Sequence, residues 1–69
     1  MMRPATIGNR PLQGLSVLVV EDDYFIAIEM CSALRAAGAD VIGPARDLAT
    51  GLAAIRNERV DCGVLDINL

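Results

Sequence analysis

Short apolar runs that end abruptly in charge dominate the pattern of this chain. Residues 15–20 are nearly all apolar and are followed at once by the carboxylates of Glu21, Asp22 and Asp23. A run rich in Val and Leu, with little polar alternation, is typical of a strand that is covered on both faces in a parallel sheet. Residues 62–65 form a second such run, which ends at Asp66. The pattern therefore predicts two strands with acidic carboxyl ends.

The segment between Asp23 and Gly38 has the spacing of an amphipathic helix. We predict a helix over residues 24–37, with Asp22 or Asp23 as its N-cap and Gly38 as its left-handed stop. Its apolar face is expected to contain residues at spacings of three and four: Ala27, Met30, Cys31, Leu34 and Ala37.

A shorter strand and a second helix are predicted to follow. Residues 40–43 predict a strand that Pro44 ends. Asp47 is a suitable N-cap for a helix over residues 48–58. The expected apolar stripe of this helix is Leu48, Leu52 and Ile55, and Gly51 is expected to weaken it.

This order of elements predicts one α/β domain with a doubly wound parallel sheet and right-handed crossovers. The 69 residues allow one domain at most. Residues 1–14 contain scattered Pro and Gly and are interpreted as a flexible N-terminal leader. The domain is therefore expected to occupy residues 15–69.

Composition narrows the possible functions. The chain has no histidine and no lysine, which excludes His-based catalysis and most zinc sites. A net charge of −3 with six scattered arginines argues against nucleic-acid binding. No apolar run is long enough to span a membrane and no signal peptide is evident, so we expect a cytoplasmic location without membrane contact. Cys31 and Cys62 are both expected to be buried thiols.

The acidic strand ends are the strongest candidates for a functional site. Ligand sites of open α/β sheets lie outside the carboxyl ends of the strands, so Glu21, Asp22 and Asp66 are expected to converge. Three neighbouring carboxylates favour a hard cation, and oxygen ligands suit Mg²⁺. Asp66, alone on its strand, is the candidate nucleophile toward phosphorus. The alternative is that the first acids only cap a helix and that Asp66 is a turn residue.

These motifs resemble the receiver domains of bacterial two-component response regulators. The segment from Val17 to Asp23 resembles the first strand and acidic pair of that family, and the segment from Val64 to Leu69 resembles its third strand with the phospho-acceptor. Residues 37–44 also resemble the second-strand region. The resemblance covers about residues 15–69.

The resemblance implies a phosphorylation switch rather than an ordinary enzyme. Glu21 and Asp22 would hold Mg²⁺ together with Asp66, and Asn68 would supply a backbone carbonyl. Asp66 would accept a phosphoryl group from a sensor histidine kinase or a phosphotransfer protein. Hydrolysis of that group in the complete domain would be slow.

The resemblance also implies that these residues form the first half of a flavodoxin-like receiver. The expected truncated fold is β-α-β-α-β with strand order 2-1-3, and its third strand would expose an apolar edge that favours a homo-oligomer. The family's phosphate-contacting lysine and hydroxyl residue do not occur at matching positions, so a degenerate or truncated receiver that serves as an interaction module is an alternative. A nucleotide-binding or aspartyl-phosphate hydrolase fold fits less well, because no glycine-rich loop follows the first strand.

Overall fold

The computed structural model describes residues 10–66, which form a three-stranded sheet and two helices. In chain order the elements are β1 (Ser16–Glu21), α1 (Tyr24–Ala36), β2 (Asp40–Ala45), α2 (Leu48–Ile55) and β3 (Cys62–Asp66). All strand pairs are parallel and the strand order is β2-β1-β3. The predicted α/β class and the 2-1-3 order are therefore confirmed. Most of the predicted leader, residues 1–9, lies outside the described residues.

The central strand β1 is covered on both faces, as its continuous apolar run predicts. Val17, Val19 and Val20 are almost completely buried, and each such side chain stabilises the fold by roughly 1.5–3 kcal/mol. Leu18 and Val20 form the core under α2 with Ala45. Side chains alternate along a strand and right-handed crossovers place the two helices on opposite faces, so Val17 and Val19 face α1.

A side-chain cap marks the start of helix α1, and a glycine with positive φ follows its end. The Asp23 side chain accepts hydrogen bonds from the backbone N–H groups of Phe25 and Ile26 at 3.0 and 3.1 Å, so Asp23 is the N-cap. Gly38 follows the C-cap with a φ of 100°, as predicted. A Cβ on Gly38 would lie 2.8 Å from Cβ of Arg10. The turn that precedes β1 therefore packs closely against the end of α1.

Helix α2 packs against the sheet through a different face from the one predicted, and it ends at Ile55 rather than near residue 58. Its buried residue is Gly51, and a Cβ there would lie 2.9 Å from Cγ2 of Val20. Gly51 lies at this contact because a residue without a side chain allows the helix backbone to approach the sheet most closely. The predicted stripe instead remains between 38% and 51% exposed: Leu48, Leu52 and Ile55.

Strand β2 continues past the residue that was expected to end it. It runs through Pro44 to the buried Ala45, with a shift of register opposite the segment from Leu18 to Val20. Proline is tolerated here because β2 is an edge strand, and Gly43, with a φ of 104°, allows the irregularity. Ala45, at the end of the strand, therefore lies in the core beneath α2.

The prediction for the two cysteines is half wrong. Cys31 is buried on α1, whereas Cys62 is exposed on β3. The reason is that β3 pairs only with β1 within residues 10–66, and neither α1 nor α2 packs over it. In the same part of the chain, neither helix has the length and hydropathy needed to cross a bilayer.

Candidate functional site

The acidic ends of β1 and β3 lie side by side. The final register pair between these strands is Glu21 with Asp66, directly after the pair of Val20 with Leu65. Neighbouring strands are about 4.8 Å apart, and residues in register project on the same face of the sheet. Folding thus brings Glu21 next to an acid that is distant in sequence.

Glu21 is a buried carboxylate with one unpaired oxygen. The residue retains only 5% of its accessible surface. Its Oε2 atom accepts a hydrogen bond of 3.0 Å from the backbone N–H of Asp23. Its Oε1 atom is buried and has no hydrogen-bond partner among the described residues. A buried polar atom without a partner is costly, so this oxygen is available to a ligand that can satisfy it.

Neighbouring acids perturb the ionisation of Glu21. The hydrogen bond from the Asp23 N–H lowers its pKa, but desolvation and the nearby carboxyl groups of Asp66 and Asp22 act in the opposite direction. The net effect raises the pKa of Glu21 above its ordinary value. Carboxyl groups this close favour either a shared proton or a cation that offsets their repulsion.

The two acids that follow Glu21 have separate positions. Asp22 is exposed and lines the adjacent cleft. Asp23 uses its side chain to cap α1 and its N–H to bind Glu21. The alternative of helix capping thus holds for Asp23, whereas Glu21 and Asp22 are free of that role.

An open cleft of about 650 Å³ lies at the carboxyl ends of β1 and β2, between the first turns of the two helices. The residues that line it are Glu21, Asp22, Tyr24, Ala27, Pro44, Arg46 and Asp47. Asp47 is committed to α2, because its Oδ1 atom accepts a hydrogen bond of 2.7 Å from the N–H of Thr50. That bond and the Thr50 side chain lower the pKa of Asp47, desolvation opposes them, and the nearby Arg46 adds a smaller lowering effect.

The predicted Mg²⁺ ligands are only partly within the described residues. Asn68 lies outside residues 10–66, so its predicted backbone carbonyl stays a prediction. Within that range, no group of three or more acids or thiols has the arrangement of a complete cation site. Glu21, Asp22 and Asp66 nevertheless provide oxygen donors of the kind that Mg²⁺ prefers, and the unpaired Oε1 atom of Glu21 fits a cation ligand.

No family model matches the chain, and neither the curated proteins nor the solved structures contain a significant match.

The sequence patterns did not indicate the second wall of the cleft. The local pattern predicts that Pro44 ends a strand and that Asp47 caps a helix. Arg46 is one of six arginines that are scattered along the chain. The rule that drew attention to Glu21 also applies here, because Arg46 directly follows the carboxyl end of β2. Because the predicted strand ends at residue 43 rather than at Ala45, the sequence does not place Arg46 at a strand end.

Proposed function

We propose that the described strands and helices correspond to the first three strands and two helices of a response-regulator receiver with a flavodoxin-like fold, and that Asp66 is its phospho-acceptor. The phosphoryl group would come from a sensor histidine kinase or a phosphotransfer protein in the cytoplasm. Glu21, Asp22 and Asp66 would hold Mg²⁺, with the backbone carbonyl of Asn68 as a further ligand.

One observation carries this proposal: Glu21 and Asp66 are register partners at the ends of β1 and β3, and a buried oxygen of Glu21 has no hydrogen-bond partner within the described part of the chain. Helix capping does not explain this arrangement, because Asp23 performs that role. The alternative that Asp66 is only a turn residue does not explain why an acid at this position lies beside a buried glutamate. A cation between the two carboxylates explains both features, since it satisfies the free oxygen and offsets the repulsion.

The chemistry assigned to Asp66 is nucleophilic substitution at phosphorus. A carboxylate oxygen of Asp66 forms the new O–P bond, the P–N bond of a phosphohistidine breaks, and its electron pair returns to the imidazole nitrogen. Asp66 is exposed at the end of an edge strand, so a donor protein can reach it. Mg²⁺, when bound, would reduce the negative charge on the carboxylate and the phosphoryl oxygens. Glu21 and Asp22 would position the cation next to Asp66.

The test is intact-mass measurement after incubation with Mg²⁺ and a small-molecule phosphodonor. The expected result is addition of one phosphoryl group to the unaltered chain and none to Asp66→Asn. Asp40→Asn is the matched control, because it makes the same change at an exposed acid at the amino end of β2. The proposal fails if Asp66→Asn is still modified or if the unaltered chain, folded by circular dichroism, is not.

A second candidate function is an interaction module that binds a partner without phosphoryl transfer. The observation that favours it is β3, which pairs on one side only within residues 10–66 and leaves Leu65 50% exposed. An open strand edge beside an apolar side chain promotes strand addition. Self-association that persists in Asp66→Asn and weakens in Leu65→Lys, measured by sedimentation, would support this function. Mg²⁺ affinity separates the two candidates, because only the receiver requires it.

A further inference from the structure

The cleft beside Glu21 is lined by both acidic and basic side chains. Glu21 and Asp22 line it at the end of β1, and Arg46 and Asp47 line it just after β2. The ion pair between Arg59 and Asp61 is the single salt bridge within residues 10–66, so the Arg46 guanidinium has no carboxylate partner there. Asp47, its neighbour, already accepts the N–H of Thr50. Arg46 is therefore free to bind a ligand in the cleft.

The cleft offers two unsatisfied groups with opposite requirements. The Oε1 atom of Glu21, on a residue that is more than nine-tenths buried, has no hydrogen-bond partner among residues 10–66. The guanidinium of Arg46 forms no salt bridge with any of the described residues. A cation alone satisfies the first group, and an anion alone satisfies the second. A cation that carries an anionic oxygen ligand satisfies both.

The charge of the cleft determines the order in which such ligands bind. Its lining contains three carboxylates and one guanidinium, a net charge of −2 when all are ionised. A free anion is repelled by this charge. A divalent cation neutralises it, and Arg46 then provides a fixed positive group for an anion that is bound to the cation.

We infer that Arg46 is the anion-binding residue of this cleft and contacts the phosphate group of the donor after the divalent cation has bound. This inference rests on the proposed function and adds to it a positioning residue on β2's side of the site. A guanidinium binds two oxygens of a phosphate through parallel N–H groups, which a lysine cannot do. Arg46 and Glu21 line the same cleft, and β2 and β3 lie two strand spacings apart, roughly 10 Å.

The experiment compares Arg46→Gln with Arg56→Gln in the full chain. Arg56→Gln is the matched control, since it makes the same charge change at the opposite end of α2. Calorimetry measures the affinity for Mg²⁺ alone, for inorganic phosphate alone, and for phosphate at saturating Mg²⁺. Circular dichroism verifies the fold of each variant.

We expect phosphate to bind only when Mg²⁺ is present. Arg46→Gln should weaken that binding by about tenfold or more, the effect of losing a hydrogen-bonded charged group, while its Mg²⁺ affinity stays the same or increases. Arg46→Lys should have an intermediate effect, and Arg56→Gln should have little effect on either affinity. A loss of phosphate affinity without a loss of Mg²⁺ affinity distinguishes anion binding from general damage to the site.

Three outcomes would overturn the inference. Equal loss of phosphate affinity in Arg46→Gln and Arg56→Gln would remove Arg46 from the site, although Mg²⁺ binding and Asp66 phosphorylation could still support the proposed function. Phosphate binding without Mg²⁺ would refute the order of binding. Absence of Mg²⁺ binding in the unaltered chain would refute the inference and the proposed function together. As a further arm, Arg46→Gln should slow transfer from an acyl phosphate and from phosphoimidazole equally, because both share the phosphate.

Discussion

Gly51 is the position at which α2 meets the central strand, and replacing it with alanine tests this packing directly. The added Cβ would lie 2.9 Å from Cγ2 of Val20, 3.5 Å from Cδ2 of Leu18 and 3.8 Å from Cβ of Ala45. Only the first contact is shorter than van der Waals distance. Val20 is almost fully buried in the middle of the sheet, so it cannot easily move.

Two effects of opposite sign determine the result. Alanine in a helix interior is favoured over glycine by about 1 kcal/mol, whereas overpacking a filled core costs about 1–3 kcal/mol. We expect Gly51→Ala to lower the free energy of unfolding by between zero and about 2 kcal/mol. In a Val20→Ala background the clashing methyl is absent, so the same change should stabilise the protein. The coupling energy between the two substitutions should therefore be about 1–3 kcal/mol.

Urea denaturation followed by far-ultraviolet circular dichroism measures these values, since the chain has no tryptophan. Ala53→Gly on the exposed side of α2 is the control. It should cost about 1 kcal/mol in both backgrounds, because it changes helix propensity alone. The reasoning is refuted if Gly51→Ala stabilises the unaltered protein as much as it stabilises the Val20→Ala variant.

Three further predictions concern the acids. Asp23→Ala removes the acceptor for two N–H groups in the first turn of α1, so thermal denaturation should show a loss of about 1 kcal/mol; an unchanged midpoint would contradict this. The N–H of Ser16 donates to Asp61 and lowers the pKa of that carboxyl group. The Asp61 carboxylate therefore stabilises the fold fully at pH values above its pKa in the unfolded chain, and this stabilisation is lost as pH falls through its lower pKa in the folded protein. The free energy of unfolding of Asp61→Asn should accordingly decrease less steeply with falling pH. Asp66→Asn should lower the raised pKa of Glu21 because it removes a neighbouring carboxyl group; a carbon-13 titration that shows no decrease would place Asp66 too far away.

Much of the fold follows from local features that any reader of the sequence can find. The apolar run of β1 predicts a doubly covered strand, and Asp23, Gly38 and Asp47 mark helix ends through short-range hydrogen bonds and backbone geometry. These features depend on residues within four positions of one another. They are therefore visible before any tertiary contact is known.

The candidate site was predictable only in part. Two acidic strand ends in a parallel sheet indicate a shared edge, and this rule alone predicts that Glu21 and Asp66 are neighbours. The burial of Glu21 and its unpaired oxygen depend on the first turn of α1 and on neighbouring strands, so no local pattern reveals them. Arg46 was missed for a similar reason, because its position depends on the irregular end of β2.

The order and type of the elements, the helix caps and the acids at the strand ends follow from local patterns in the chain, because periodicity and capping involve residues that are close in sequence. The tertiary structure alone decided which face of α2 is buried. An apolar stripe at helical spacing predicted Leu48, Leu52 and Ile55, yet the close approach to Val20 selects Gly51. Tertiary packing also makes Cys62 exposed and brings Arg46 and Glu21 to the same cleft. These features depend on contacts between segments that are far apart in sequence, so local sequence patterns do not predict them.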